Sequence, residues 1–512
     1  MKLPLLLSSL ENHATGFPDG VAIITDSTVW RYGPLWSLVV QFEAALAKTA
    51  IPAHTAVAVV AHKTIDTLAL MLALGKTGRS TLAVSPGLGS SVKPMLYSSA
   101  GVSCEVFAGN VSGAPQVTVT DFPDTQVQPF TDSPEGDACP FMLTTSGSTG
   151  LPKVVRLSEA GLNAFFQWGA EYFQLTQGRR VLSYAPLNFD LSLLDVWTPL
   201  VQGATVVLAD TDRATQTDYL KSLVRNHEPD LIQAVPMFYR LLCADGETQD
   251  WVLDGPRHIV FTGDTTPQKL RERVVRKFPQ ATFHNVYGCT ETNDSFVYSV
   301  DAPEIARDER LPLGLPISGV AFRIAKEDGN VLEGAGEGEL YTSTPFLALG
   351  YTDPNLTTDA FYYDADDKRI YYRTGDRVVR DESGRLTLLG RNDFVVKVRG
   401  VRTNTLDIEQ VLMKNHTVRN AVVVPVNDEV AGVVLHAVVE PIQDQAFDGF
   451  ALRQFCAKNL PHTSVPQRFH LYKAPLPVTS TGKLDRKTIA LSIQQGGRPH
   501  DSCNEHQELH LR

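Results

Sequence analysis

Between Leu143 and Val155 the chain reads LTTSGSTGLPKVV, in which Thr145, Ser146, Gly147, Ser148, Thr149 and Gly150 stand ahead of a single cation, Lys153. Small residues let backbone N–H groups converge on an anion, hydroxyls add donors and the ammonium supplies charge, so the run has the makings of a polyphosphate cradle. It is not a Walker A loop, which needs a glycine directly before its lysine; Pro152 holds that place. Gly75-Lys76-Thr77 fails the same pattern because Leu70 stands where its first glycine is required. On composition alone TTSGSTG also reads as a polar surface linker.

Further along, other polar residues interrupt apolar runs. Asp190 in NFDLS is a carboxylate among apolar neighbours and needs either a cationic partner or a helix N-terminus to cap. NVYGCTE, Asn285 to Glu291, combines an amide, an aromatic face, a hydroxyl and a carboxylate that serves as a metal ligand or a helix cap. Lys483 in TSTGKLDR is a lone cation in what would otherwise be a solvated turn.

Taken in order, LTTSGSTGLPK, NFDLS, NVYGCTE, EGELYTSTPFLALGY, YYRTGDR, GRNDFVVKVRG and TSTGKLDR resemble the motifs of the adenylate-forming superfamily. That superfamily includes acyl-CoA ligases, luciferases and the adenylation domains of nonribosomal peptide synthetases. The motifs span Leu143 to Arg486 in the family's order, and the set is specific where each member alone is not. The resemblance implies a carboxylate attacking the α-phosphate of ATP, giving an acyl-adenylate and pyrophosphate, with Mg²⁺ as cofactor and a thiol as the final acceptor.

The same resemblance implies the roles. Thr145 to Gly150 and Lys153 would hold the β- and γ-phosphates, with Gly263 and Asp264 also at the nucleotide. Tyr287 and Gly288 would face adenine and Asn285 would hydrogen-bond it; Thr290 would meet the α-phosphate and Glu291 would ligate Mg²⁺. Asp376 and Arg391 would take the ribose hydroxyls. Lys483 would be the catalytic lysine at the reacting carboxylate. Asp393 would be the hinge at which the small domain swings, turning Lys397 to Gly400 toward the thiol.

In amino-acid-activating members the aspartate at the position of Asp190 pairs with the substrate's amino group. Around it motif order places Leu191 and Leu194 on the helix LSLLDVW, Gln233 ahead of AVP, Val260 and Thr262 on the strand before Gly263, and Val286, Asp294 and Ser295 about the adenine motif. Gln233, Thr262, Asp294 and Ser295 would suit a polar substrate; Asp294 would meet a second amine, a displaced β-amine or solvent. FDLSLLDVW also resembles ligases that load D-alanine onto a carrier protein, which favours a small substrate. The expected activity is an amino acid:carrier protein ligase of natural-product assembly, with an acyl-CoA ligase for a non-amino acid as the alternative. Its acceptor would be the phosphopantetheine thiol of a separate carrier protein, because no condensation-like region precedes the motifs and the tail is too short for a carrier domain. Cys289 replaces the family's usual proline, and STPFLALGY and TNTLDIE depart from its acceptor-side pattern.

The elements must bring these residues together. HTAVAVVAH, GATVVLAD, LIQAVP, RHIVFTG and TFHNVYG read as strands; KTIDTLALMLALGKTG, TDYLKSLVRNHEPD and QKLRERVVRKFPQ read as helices between them. This is the pattern of an α/β fold with mainly parallel, helix-covered sheets, which collect ligands at the carboxyl ends of their strands. Residues 1–391 form the expected large domain, with a β-rich subdomain over 303–389 whose Ser383-Gly384 marks a hairpin; 392–493 form a small mobile α+β domain and 494–512 a loose tail.

The 512 residues carry 46 Lys and Arg against 57 Asp and Glu, a net charge of -11, which argues against nucleic-acid or anionic-membrane partners. Six scattered cysteines show no metal spacing and suit a reducing cytoplasm. The opening MKLPLLLSSL imitates a signal peptide but is followed by Glu11, Asn12 and His13, so a cytoplasmic protein is expected. A monomer is expected.

Overall fold

The computed structural model describes residues 4–90, 92–111, 114–122, 138–145, 152–244, 251–391, 394–398, 401–428, 432–442, 448–460, 464–472, 474–479 and 483–494. The chain divides into two compact units, the first Met1–Gly336, Leu340–Thr374 and Arg380–Thr387, the second Glu337–Glu339, Gly375–Val379 and Leu388–Arg512.

Val, Ile, Leu and Ala runs of four or five residues, buried on both faces, make central strands of two sheets in the first unit. In the larger, nine-stranded sheet six parallel neighbours run in the spatial order Thr282–Cys289, His258–Phe261, Leu231–Ala234, Arg180–Ser183, Thr205–Leu208 and Val21–Ile24. Antiparallel strands flank it, Asn293–Asp301 and Leu315–Pro316 on one edge and Val29–Arg31 on the other. A seven-stranded sheet has Phe141–Thr145, Ser80–Val84, Ala56–Val60 and Val102–Val111 in parallel at its centre.

In the helix Ile65–Lys76, Ile65 and all of Thr67 to Leu74 are buried. A helix hydrophobic all round belongs between layers, and its residues join the main core with the helices Leu5–Gly16 and Tyr32–Leu46. Within the signal-like opening, Leu5 onward belongs to the first of these helices, with Leu6, Leu7 and Leu10 buried. Among the described residues no helix is long and apolar enough to cross a membrane.

The β-rich stretch forms a five-stranded sheet of Ala321–Ala325, Gly336–Ser343, Arg369–Arg380, Phe361–Asp364 and Leu386–Arg391. Gly384 takes φ +85° in its hairpin, a left-handed conformation glycine adopts without Cβ strain.

In the second unit Val418–Asp428 pairs antiparallel with Gly432–Pro441, which pairs parallel with Arg468–Leu471. Alternate residues serve two faces. Ala421 and Val423 meet Ile408 and Leu412 of the helix Thr405–Lys414 and Leu452 and Cys456 of Gly449–Asn459, while Val422 and Val424 meet Leu476, Ile489 and Ile493. The last two lie on a helix, Arg486–Gln494, that the sequence reading did not separate from the preceding loop.

Candidate active site

The phosphate-loop motif is closed by a hairpin. Phe141–Thr145 and Lys153–Leu157 pair antiparallel with Thr145 opposite Lys153, so the loop leaves and re-enters the sheet at one point. Ser146, Gly147, Ser148, Thr149 and Gly150 lie outside the described residues. The strand after Lys153 also pairs with Gly350–Tyr351, Tyr351 opposite Val155, which brings the Tyr351 ring beneath Lys153 with Nζ 5.2 Å from the centroid. Gly350 is required there: its φ is +103° and a Cβ would come within 2.4 Å of Thr357 Cγ2.

Tyr351 then reaches the second motif. Its hydroxyl donates to Glu291 Oε1 at 2.6 Å and lies 3.2 Å from the Tyr372 hydroxyl. Burial pushes the Tyr351 phenol pKa up, and the Glu291 charge pushes the same way. Glu291 is 6% exposed and its backbone carbonyl accepts from Ala348 N. It therefore sits as a buried carboxylate between Tyr351 and the loop around Ala348, not as a helix cap.

Thr290 and Glu291 ride on the turn between the antiparallel strands Thr282–Cys289 and Asn293–Asp301. That turn is tight because Gly288 lies opposite Asp294, where a Cβ would fall 2.0 Å from the Asn293 carbonyl oxygen. It is tied down by Thr344 Oγ1, which donates to the Thr292 carbonyl, and by Asn293 Nδ2, which donates to that of Phe346. Cys289 is accommodated, its sulfur 3.2 Å from Thr292 Oγ1.

Asp190 comes to this turn from the other side: Thr290 Oγ1 donates to its Oδ2 at 2.6 Å. The expected α-helix LSLLDVW is instead a turn leading into a five-residue π-helix, Leu193–Trp197, with Ser192 at its cap position, followed by the short α-helix Thr198–Val201. Thr198 N donates to the Leu193 carbonyl, the i→i−5 bond of that wider turn, and Thr198 Oγ1 donates to the same oxygen. Asp190 thus lies two residues ahead of the cap position of that helix.

Asp294 is half-buried, and burial pushes its carboxyl up to about 8, with the neighbouring Asp190 carboxylate pushing the same way. Leu191 packs with Ala185 and Val235 in a small apolar cluster. Gln233 Nε2 donates to the Leu191 carbonyl at 3.1 Å, and Ser295 Oγ donates to Thr292 Oγ1 at 3.3 Å, so these two polar residues use those groups within the protein. Thr262 is buried. Leu194, Val260 and Val286 belong to the main core, and Leu194 Cδ1 would lie 2.8 Å from a Cβ at Gly169, which aims it at the helix Glu159–Tyr172. The structure gathers Asp190, Leu191, Gln233, Thr290 and Asp294, and places Leu194, Val260 and Val286 among the buried residues of the main core.

At the nucleotide positions, Tyr287 is buried with its ring edge-on to Phe296, and Asn285 Nδ2 donates to the Pro312 carbonyl at 2.9 Å, leaving its oxygen as the remaining acceptor. Gly263 holds φ +78° at the end of its strand, and Asp264 Oδ1 accepts from Thr265 N.

In the second unit Asp376 is 7% exposed, with Arg391 Nη1 3.5 Å from its Oδ1. Lys483 lies in a turn whose backbone bonds to Thr479 on both sides, Thr479 N donating to the Lys483 carbonyl at 2.7 Å and Lys483 N to Thr479 Oγ1 at 3.3 Å. Three residues on, Arg486 clamps the buried Glu409 with both guanidinium nitrogens, Nη2 to Oε2 at 2.6 Å, and Glu409 also accepts from Val423 N. This anchors the lysine turn to the helix Thr405–Lys414. Asp393 lies outside the described residues.

Sequence reasoning missed Tyr351, Tyr372 and the Glu409–Arg486 clamp, although Tyr351, Tyr372 and Arg486 stood inside quoted motifs. Glu291 offers one hard carboxylate, enough for Mg²⁺, which keeps several waters and shares phosphate oxygens. Among the described residues no group of three or more His, Cys, Asp or Glu could hold a metal by itself.

Residues 10–352 match the family model described as AMP-binding enzyme, and residues 407–483 match the AMP-binding enzyme C-terminal domain. An L-proline--[L-prolyl-carrier protein] ligase of Pseudomonas fluorescens is 28% identical over 511 residues, covering 96% of this chain and 100% of that protein. A D-alanine--D-alanyl carrier protein ligase of Bacillus thuringiensis is 31% identical over 403 residues, covering 74% of this chain and 79% of that protein. Among solved structures, Klebsiella oxytoca NpsA in complex with 3-hydroxyanthranilyl-AMSN superposes with a TM-score of 0.76 at 23% identity, covering 96% of this chain and 100% of that one, a likeness of fold.

Proposed function

Because the chain belongs to the AMP-binding enzyme family, we propose that it activates an amino acid with ATP and passes the aminoacyl group to the phosphopantetheine thiol of a separate carrier protein in natural-product biosynthesis. The observation that carries this reading is Asp190, a carboxylate beside the apolar Leu191 cluster, bonded to Thr290 and next to a second carboxylate, Asp294. In amino-acid-activating members the aspartate at this position pairs with the substrate amine, and a substrate ammonium would bring Asp190 an opposite charge that a non-amino acid cannot, which favours an amino acid over the acid of an acyl-CoA ligase. Asp294 further favours a small polar substrate, with an α- or β-amine and a second donor near it.

In the first step the substrate carboxylate oxygen bonds to the α-phosphorus of ATP and the bond to the bridging oxygen breaks, releasing pyrophosphate. Lys153 and the loop after Thr145 hold the leaving β- and γ-phosphates, Thr290 turns its single O–H from Asp190 to the α-phosphate once the substrate ammonium takes Asp190, Tyr287 packs on adenine, and Asp376 accepts from the ribose hydroxyls. Glu291 would hold Mg²⁺, which when bound offsets phosphate charge. Lys483 neutralises charge at the attacking carboxylate. In the second step the thiolate sulfur bonds to the acyl carbon and AMP leaves. The joint presence of Lys153, Thr290, Glu291, Asp376 and Lys483 weighs against a silent scaffold.

Amino-acid-dependent ATP–pyrophosphate exchange tests this, run over α-, D- and β-amino acids beside fatty and aryl acids. Exchange with amino acids, abolished in Lys483→Ala, is expected; exchange with fatty or aryl acids only would contradict it.

A further inference from the structure

Asp195 is fully buried in the π-helix that follows Asp190, and the adenylation chemistry above makes no use of it. Its Oδ1 accepts from Ser183 Oγ at 3.1 Å, while its Oδ2 meets no hydrogen-bond donor among the described residues. Lys63, just beyond the strand Ala56–Val60 of the other sheet, donates from Nζ to the Ser183 carbonyl at 2.7 Å. That carbonyl also accepts from Ala209 N. One buried serine at the carboxyl end of Arg180–Ser183 thus joins a cation from one sheet to an anion beside the other.

The link continues to the substrate pocket through the backbone. Asp195 N donates to the Leu191 carbonyl at 3.1 Å, the same oxygen that Gln233 Nε2 holds. Leu191 directly follows Asp190, and Leu193 N donates to the Asp190 carbonyl at 2.9 Å. A shift of Asp195 therefore moves the peptide carrying Asp190 and Leu191, whereas the hairpin bearing Lys153 has no part in this chain of bonds.

We propose that Lys63 and Asp195, joined through Ser183, are positioning residues that hold the π-turn so that Asp190 and Leu191 meet the acyl substrate. Burial pushes the Asp195 carboxyl up and the Lys63 ammonium down, and each charge opposes that loss on the other, with Ser183 and the Ala185 and Tyr184 amides also favouring the Asp195 carboxylate. Removing Lys63 leaves the buried Asp195 carboxylate without that counterpart at the base of the turn. A π-turn is a strained way to continue a helix, which makes its geometry sensitive to such a loss.

The proposal rests on the adenylation reading but not on the substrate being an amino acid, because Leu191 lines the acyl site in either case. Its test compares wild type with Lys63→Met, Lys63→Arg and Ser183→Ala in ATP–pyrophosphate exchange, using whichever carboxylic acid supports the wild-type reaction. Lys63→Met is expected to raise KM for that acid about tenfold or more while KM for ATP stays within about twofold, as loss of substrate positioning requires. Lys63→Arg keeps the cation and should restore most of the loss. Ser183→Ala, the milder change should Lys63→Met fail to fold, should raise the acid's KM in the same direction. A purely structural pair would lower Tm and the active fraction with both KM values unchanged, and that result in Lys63→Met or Ser183→Ala overturns the proposal. Exchange only with non-amino acids would instead overturn the assignment of Asp190 while leaving this comparison readable.

Discussion

The Thr290 hydroxyl and Asp190 Oδ2 share a hydrogen bond of 2.6 Å, so the group assigned to the α-phosphate and the group assigned to the substrate amine are in contact. Asp294 adds a second carboxyl group beside them, which burial and the Asp190 charge push up to about 8. On these assignments, a charge brought by the acyl substrate to Asp190 would be felt one hydrogen bond away from the α-phosphate.

Asp294 should leave a mark on the pH dependence of stability. Its carboxyl ionises near 3.8 in the unfolded chain and at about 8 in the fold. The stabilisation it contributes is full below 3.8 and is lost as pH rises through about 8, because the fold retains a proton that the unfolded chain releases. Asp294→Asn removes that slope. Urea midpoints at pH 5 and pH 8.5 should converge in the variant relative to wild type; parallel shifts would contradict the assignment.

Tyr351→Phe deletes the hydroxyl that donates to Glu291 and leaves a carboxylate only 6% exposed without that donor. A lost hydrogen bond to a buried charge costs about 1–3 kcal/mol. Tm should fall without ligand and recover in part with magnesium and ATP as the Glu291 charge gains a cation. An unchanged Tm would show that the contact contributes nothing.

His284 reports on the opposite end of the same strand. Burial, aided by His258, holds its pKa down to about 3; His258 Nδ1 lies 3.1 Å from His284 Nε2, and His284 Nδ1 is 2.7 Å from Ser299 Oγ. Its contribution is present above 6.5 and is lost as pH falls toward about 3, because the unfolded chain takes up a proton that the fold refuses. Full separation of the two pKa values costs about 1.4 kcal/mol per pH unit. Thermal midpoints between pH 7.5 and pH 5 should fall less steeply for His284→Gln than for wild type; equal slopes would contradict this.

Much of the framework was legible because its signals are local. Apolar runs such as AVAVV and LIQA are buried on both faces and could form only interior strands, and Ser383-Gly384 carries its turn in its own residue types. The motif order likewise anticipated the family match. What was not legible depends on partners distant in sequence. LSLLDVW has the composition of an α-helix, yet the bonds at Thr198 and Ser183 make it a π-turn. Leu194, which motif alignment placed at the substrate, turns toward Gly169 because a glycine there leaves room. Glu409 gives no sign in sequence that Arg486 will seal it.

The pairing of Asp190 with a substrate ammonium is tested most directly by varying both partners. Wild type and Asp190→Ala would each be assayed by ATP–pyrophosphate exchange with the best amino acid and with the same acid lacking its amine. The predicted result is that removing the amine costs wild type about 3 kcal/mol or more in kcat/KM, roughly a hundredfold or greater, and costs Asp190→Ala almost nothing. Equal losses in the two enzymes would contradict the pairing and remove the central support for an amino acid substrate.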